Sequence, residues 1–155
     1  RSTLFPYTTL FQSIDGLVRK EKYELPPEAI REMIINAHCH RNLLDESCIQ
    51  VAVYDDRLEV TSPGGLYNGL TYEEVMNGHS KIRNKGIANI FSQMGLVEAW
   101  GSGIKRILNA AEEYGLSKPR FQEFDNMFRV ELFRSSFPMT NGKENIGETS
   151  EKHRR

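Results

Sequence analysis

Apolar residues along the chain switch between two periods, and each switch marks an element. From Pro26-Pro27-Glu28 onward, Ile30, Met33, Ile34 and Ala37 recur at i, i+3, i+4 and i+7, the stripe of a helix lying on a sheet. Proline is tolerated in a first turn and the acid after it faces the positive end of the helix dipole, so the helix starts there. Ile49, Val51 and Val53 then alternate with polar or small neighbours, Asp55-Asp56 supplies a turn, and Leu58 and Val60 resume the alternation. This predicts a β-hairpin, ended by Ser62-Pro63-Gly64-Gly65. Residues 66–83 are polar, carry Gly69 and Gly78, and leave room for a short helix near Tyr72–Met76; they predict a mobile loop.

Helical periodicity returns behind Asn84, a helix-capping residue type, with Ile87, Ala88, Ile90, Phe91 and Met94 on one face and Gly95 as the stop. Gly101-Ser102-Gly103 opens the next helix, whose Ile104, Ile107, Leu108 and Ala111 turn inward and which Gly115 closes. Residues 119–124 and 127–134 predict a second hairpin about Asp125-Asn126, with Phe128, Val130 and Leu132 alternating on its second strand. The order helix, hairpin, loop, two helices, hairpin implies a two-layer α/β sandwich: a mainly antiparallel or mixed sheet of about four strands with helices on one face. Repeats and βαβ alternation are lacking, so a ligand would sit between the helix layer and the sheet. Residues 1–13 follow neither period. They are expected to lie outside the fold, as a non-native or disordered leader or as a strand remnant of a preceding domain. Residues 14–134 then form the domain. Residues 135–155, polar with scattered apolar positions, predict a flexible linker toward a C-terminal domain outside this chain.

Composition narrows the class without naming a function. A chain of 155 residues supports one core, and 39% hydrophobic with 26% charged residues excludes collagen, a wholly disordered chain and a membrane protein. Twenty Lys plus Arg against 21 Asp plus Glu leave a formal charge of -1, too balanced for a global field that holds nucleic acid. Cys39 and Cys48 are too few for a disulfide scaffold and no 18-residue apolar span occurs, so a reducing, cytoplasmic setting with no membrane partner is expected.

Chemistry concentrates on the first helix. Glu32, Asn36 and His40 stand four residues apart and form one polar row beside the apolar stripe. Such a row is also what the solvated face of any amphipathic helix displays. Beside a phosphate, however, the Asn36 carbonyl is a hard oxygen ligand for Mg²⁺ and the Glu32 carboxylate could orient or deprotonate water. His38-Cys39-His40 with Cys48 does not suit zinc, because neighbouring helical residues point about 100° apart; Cys39 reads as a packing residue. Gly101-Ser102-Gly103 before a helix leaves backbone N–H groups at the positive dipole end, either a tight helix entry or a phosphate cradle backed by Lys105 and Arg106. Pro63-Gly64-Gly65 is either a turn or a close approach of backbone to ligand. The cations of Ser80-Lys81-Ile82-Arg83-Asn84-Lys85 form a solvated basic loop or a cover for anionic phosphate, without the aromatic interleaving that stacks bases. Trp100 reads as a core edge.

Glu32 to Ala37 with His40-Arg41, Ser62 to Leu66, Ile82-Arg83-Asn84, and Val97 to Ile104 follow one another in an order that resembles the RecG-C-terminal-like ATPase domain. That domain is grouped with the gyrase, histidine-kinase and MutL ATPase superfamily. It occurs in bacterial and archaeal transcriptional regulators, behind a Schlafen-type divergent AAA domain and before a winged helix. The resemblance covers residues 14–134.

The resemblance implies ATP and Mg²⁺ as cofactors. Asn36 matches the Mg²⁺ ligand, Glu32 the catalytic water-activating acid, and Gly101, Ser102 and Gly103 the later phosphate-binding turn. His40, Gly64, Gly65 and Arg83 fall at the remaining nucleotide contacts, Arg83 on the lid. The superfamily's earlier glycine motif carries an Asp that accepts a hydrogen bond from adenine, whereas this chain has Thr61-Ser62-Pro63 there. A nucleotide-binding domain, weakly hydrolysing or not, is therefore expected, with a homodimer as a further partner and DNA reached only through a domain outside this chain. The alternative is a non-catalytic dimerisation or signal-relay module with a degenerate nucleotide site. A Walker-type phosphate loop is missing, so the name RecG implies no helicase.

Overall fold

A computed structural model describes residues 10–15, 18–97 and 101–135. In chain order the elements are β1 (Leu10–Asp15), β2 (Val18–Tyr23), α1 (Pro27–His40), β3 (Gln50–Val53), β4 (Arg57–Pro63), α2 (Tyr72–Met76), α3 (Lys85–Gln93), α4 (Gly103–Glu113), β5 (Arg120–Phe124) and β6 (Met127–Phe133). The main sheet has the order β3-β4-β6-β5 and is antiparallel throughout, while β1 and β2 pair with each other as a separate ribbon.

Leu58 and Val60 of β4, Val130 and Leu132 of β6, and Phe121 of β5 form the helix-facing side of the sheet. Against it pack Ala29, Met33 and Ala37 of α1 with Ile107, Ala110 and Ala111 of α4. This is the small α/β sandwich that the element order implies. A second, smaller cluster joins Ile35 and Cys39 on the far flank of α1 to Ala88 of α3. Helix α1 is thus the central post, with the sheet and α4 on one side and α3 on the other.

Three local readings differ from the sequence expectation. Strand β1 begins at Leu10, inside the segment 1–13 placed outside the fold; its pairing is a backbone ladder that no side-chain period reports. Residues 1–9, Trp100 and residues 136–155 lie outside the described residues. Helix α3 buries only Ala88 and leaves Ile90 57% and Met94 64% exposed, because it packs along α1 and not on the sheet. Asn84 does precede α3, yet its side chain does not cap it. Its Nδ2 donates to the carbonyls of His38 and Arg41 at 3.0 and 2.8 Å, tying the start of α3 to the end of α1.

The sheet's other side is not a plain solvated face. Glu59 and Glu131 stand directly opposite each other on β4 and β6, and both are buried. Arg57 donates to Glu59 at 2.7 Å, Arg120 makes two hydrogen bonds to Glu131, and Arg129 lies 3.6 Å from Glu59. Three cations thereby offset a like-charge cross-strand pair that would otherwise be destabilising.

Candidate functional site

The row Glu32, Asn36 and His40 does not face solvent. All three side chains enter the wall of a cavity of about 130 Å³ bounded by α1, α4, the sheet and the segment between β4 and α3. Glu32 is only 6% exposed. The helix places the row there because the apolar stripe beside it is fixed against the sheet, and a spacing of four keeps each polar group on the same edge. The wall is apolar at the buried Met33, Val60, Ile107 and Val130 and polar along Glu32, Asn36 and His40.

The first turn of α4 meets this row. A Cβ added at Gly103 would stand 2.6 Å from Asn36 Nδ2 and 3.2 Å from Glu32 Oε2, so any side chain there would displace the Asn36 carboxamide from its place against the helix start. Ser102 holds the N-cap position. The first N–H groups of a helix have no partner within it, and here they open where the carboxamide and the carboxylate converge. Gly101, at φ +83°, turns the chain into the helix, and a Cβ there would lie 2.7 Å from the Gly78 carbonyl oxygen. The segment over the cavity is therefore seated on the glycine turn.

The earlier glycine pair is held from behind. Gly64 adopts φ +101°, and a Cβ on it would overlap Arg83 Nη1 at 1.9 Å. Arg83 Nη2 donates to the Gly65 carbonyl at 2.8 Å, and its guanidinium stands 5.0 Å over the Tyr67 ring. Leu66 N donates to Glu123 Oε1 at 2.8 Å, anchoring the same turn to β5. Across the cavity's cover, α2 is fixed by a capping box between Thr71 and Glu74, and Lys81 Nζ donates to the Asn68 carbonyl at 2.9 Å. His79, Ser80 and Lys81 complete the wall.

Of the residues singled out in the sequence, Glu32, Asn36, His40, Gly64, Gly65, Gly101 and Gly103 line this one cavity. Arg83 stands behind the Gly64-Gly65 turn, and Ser102 sits between the two lining glycines. Of the two hydroxyls where an Asp would stand, Thr61 faces the other side of the sheet and accepts from Arg129 Nε at 3.0 Å. Ser62 lines the cavity and donates to the Ala37 carbonyl at 3.0 Å.

Burial, and after it the nearby Arg83 guanidinium, lower the pKa of His40 below its ordinary value, which favours the neutral imidazole. Burial pushes the Cys39 thiol up to about 11, so it is a packing residue and not a thiolate nucleophile. Arg106 Nη1 donates to Glu32 Oε1 at 3.2 Å. Sequence reading named Arg106 only as a cation behind the glycine turn and passed over Glu123 entirely. The signal for Arg106 was its place three residues after Gly103, one turn along the same helix face; Glu123 carried none, because its contact depends on hairpin register.

A helix N-terminus beside a carboxamide suits the anionic end of a ligand, and the apolar residues of the same wall suit a flat apolar end. Among the described residues no group of three His, Cys, Asp or Glu side chains could hold a metal ion. A divalent cation here would take most of its oxygens from the ligand and water, the usual habit of Mg²⁺ on phosphates, with Asn36 Oδ1 as the protein ligand. No described helix is long and apolar enough to cross a membrane.

Residues 46–132, more than half of the chain, match the family model described as "Putative ATP-dependent DNA helicase recG C-terminal". Among solved structures, the chain is similar to the DIP2311 protein from Corynebacterium diphtheriae, with TM-score 0.74 and 28% identity over 82% of this chain and 26% of that one. The chain thus spans about a quarter of that protein's length. No curated protein matches it.

Proposed function

The chain belongs to the RecG C-terminal ATPase-like domain family, and from that premise we propose that its cavity binds ATP with Mg²⁺ and hydrolyses it slowly. The observation that carries this reading is the convergence of Glu32, Asn36 and the first turn of α4, with Gly103 close enough to touch both side chains. In this reading the backbone amides of Gly101 and Gly103, at the entry to α4, take the terminal phosphates, and the base lies against Met33, Val60 and Ile107, within reach of the Ser62 hydroxyl. The Arg83 and Glu123 contacts hold the Gly64-Gly65 turn at the mouth, and His40, largely neutral, adds a donor or acceptor there. Asn36 Oδ1 would be the protein ligand of Mg²⁺, which when bound with the nucleotide would supply charge neutralisation. Glu32 accepts a proton from the water whose oxygen attacks the γ-phosphorus, and ADP leaves with the bridging oxygen.

The parent protein is proposed to be a cytoplasmic transcriptional regulator, dimeric through this or another region, that meets DNA through a separate domain. The segment from β1 through β6 would be its nucleotide module. Phosphate release and calorimetric binding test the reading together. The unaltered chain is expected to bind MgATP and release phosphate, and Glu32→Gln to keep binding while losing about 100-fold or more of the release. Binding without release in either form would leave a signal-relay module. Absence of binding would remove the nucleotide reading.

A further inference from the structure

Glu32 poses an electrostatic problem that the site must solve. Its carboxylate is 6% exposed and lies beside the turn where the proposed phosphates would sit, so every added phosphate charge would be repelled through a medium that screens poorly. Arg106 lies on α4 one turn beyond Gly103, and its Nη1 donates to Glu32 Oε1 at 3.2 Å, with side-chain exposures of 20% and 7% for the two partners. The other Glu32 oxygen is the one nearest Gly103. The pair therefore bridges the two helices that build the site, and it engages the carboxylate by a single oxygen.

Resting on the nucleotide reading, we infer that Arg106 is a positioning residue for this site: it offsets the buried charge of Glu32 and fixes the rotamer that leaves Oε2 turned toward Asn36 and Gly103. Arg106 acts through Glu32 and not on the ligand. Its contribution should grow with the number of phosphates, because the repulsion it offsets is aimed at the end of the polyphosphate. A purely structural ion pair between α1 and α4 would contribute equally to every nucleotide.

The test is calorimetric titration with AMP, ADP and ATP in Mg²⁺, on the unaltered chain, R106Q, E32Q and the double variant, with melting curves to confirm folding. R106Q is expected to weaken ATP about tenfold and AMP less than about twofold, with ADP between them. The double variant, having lost both charges, is expected to return ATP to within about threefold of the unaltered chain, a coupling that only linked sites show. E32Q alone should raise the ratio of ATP to AMP affinity. That variant carries the test by itself if R106Q fails to fold, and an unchanged ratio would then overturn the inference. Equal loss for all three nucleotides in R106Q, or no recovery in the double variant, would overturn it while leaving the nucleotide site standing. Absence of binding by the unaltered chain would overturn the site reading and this inference with it.

Discussion

At the scale of single residues, the site depends on side chains that are absent as much as on those present. Gly64 combines a left-handed φ of +101° with the Arg83 guanidinium in the volume a Cβ would fill. Gly64→Ala is therefore expected to cost about 1–3 kcal/mol in denaturant unfolding, from backbone strain and displaced packing together; a change below about 0.5 kcal/mol would show that the turn does not hold this geometry. His40 makes a pH prediction. Its folded pKa lies below its unfolded value of 6.5, so the unfolded chain binds more protons between the two. Its contribution to stability is complete above 6.5 and is lost as pH falls through that value toward the folded pKa. Unfolding free energies at pH 7.5 and 5.5 are expected to differ less in His40→Gln than in the unaltered chain. Equal differences would contradict the burial argument. Sequence spacing put Glu32, Asn36 and His40 in one row but could not say whether that row met water or a cavity, since both arrangements share the same period. Only the packing of α4 against α1, which brings Gly103 to Asn36, decides it.

Among the elements, legibility follows how directly a side-chain pattern reports burial. Helix α1 and the two hairpins of the main sheet are readable because one face of each is pinned to the core, and α2 falls on Tyr72–Met76, where the loop reading left room for it. Strand β1 was not, since its pairing is made by backbone groups. The charged face of β4 and β6 was unreadable for another reason. Alternating Arg and Glu look solvated in sequence, yet register sets Glu59 opposite Glu131 and gathers Arg57, Arg120 and Arg129 around them. Hydrogen bonding from Arg120 is the main cause that holds the Glu131 carboxyl below its ordinary value of 4.5. A depressed folded pKa gives stability that is present above the unfolded value and lost as pH falls through it. Glu131→Gln is therefore expected to lower the denaturation midpoint at pH 7, with the gap to the unaltered chain closing as pH drops below about 4.5. A gap that stays constant into acid would mean that shape and not charge holds these strands.

For the whole molecule, the proposed nucleotide lies in the cavity that α1 and α4 help to bound, and in that proposal Asn36 is the residue on which a cation-dependent response turns. A ligand that binds only the folded state stabilises it by about 2.7 kcal/mol at a hundred times its dissociation constant. The most direct measurement is thermal unfolding of the chain with ATP, with and without Mg²⁺, alongside Asn36→Ala. The account predicts a Mg²⁺-dependent rise in the midpoint that Asn36→Ala abolishes while leaving the ligand-free midpoint near that of the unaltered chain. An unchanged midpoint at millimolar MgATP, or a rise that Asn36→Ala leaves intact, would contradict it.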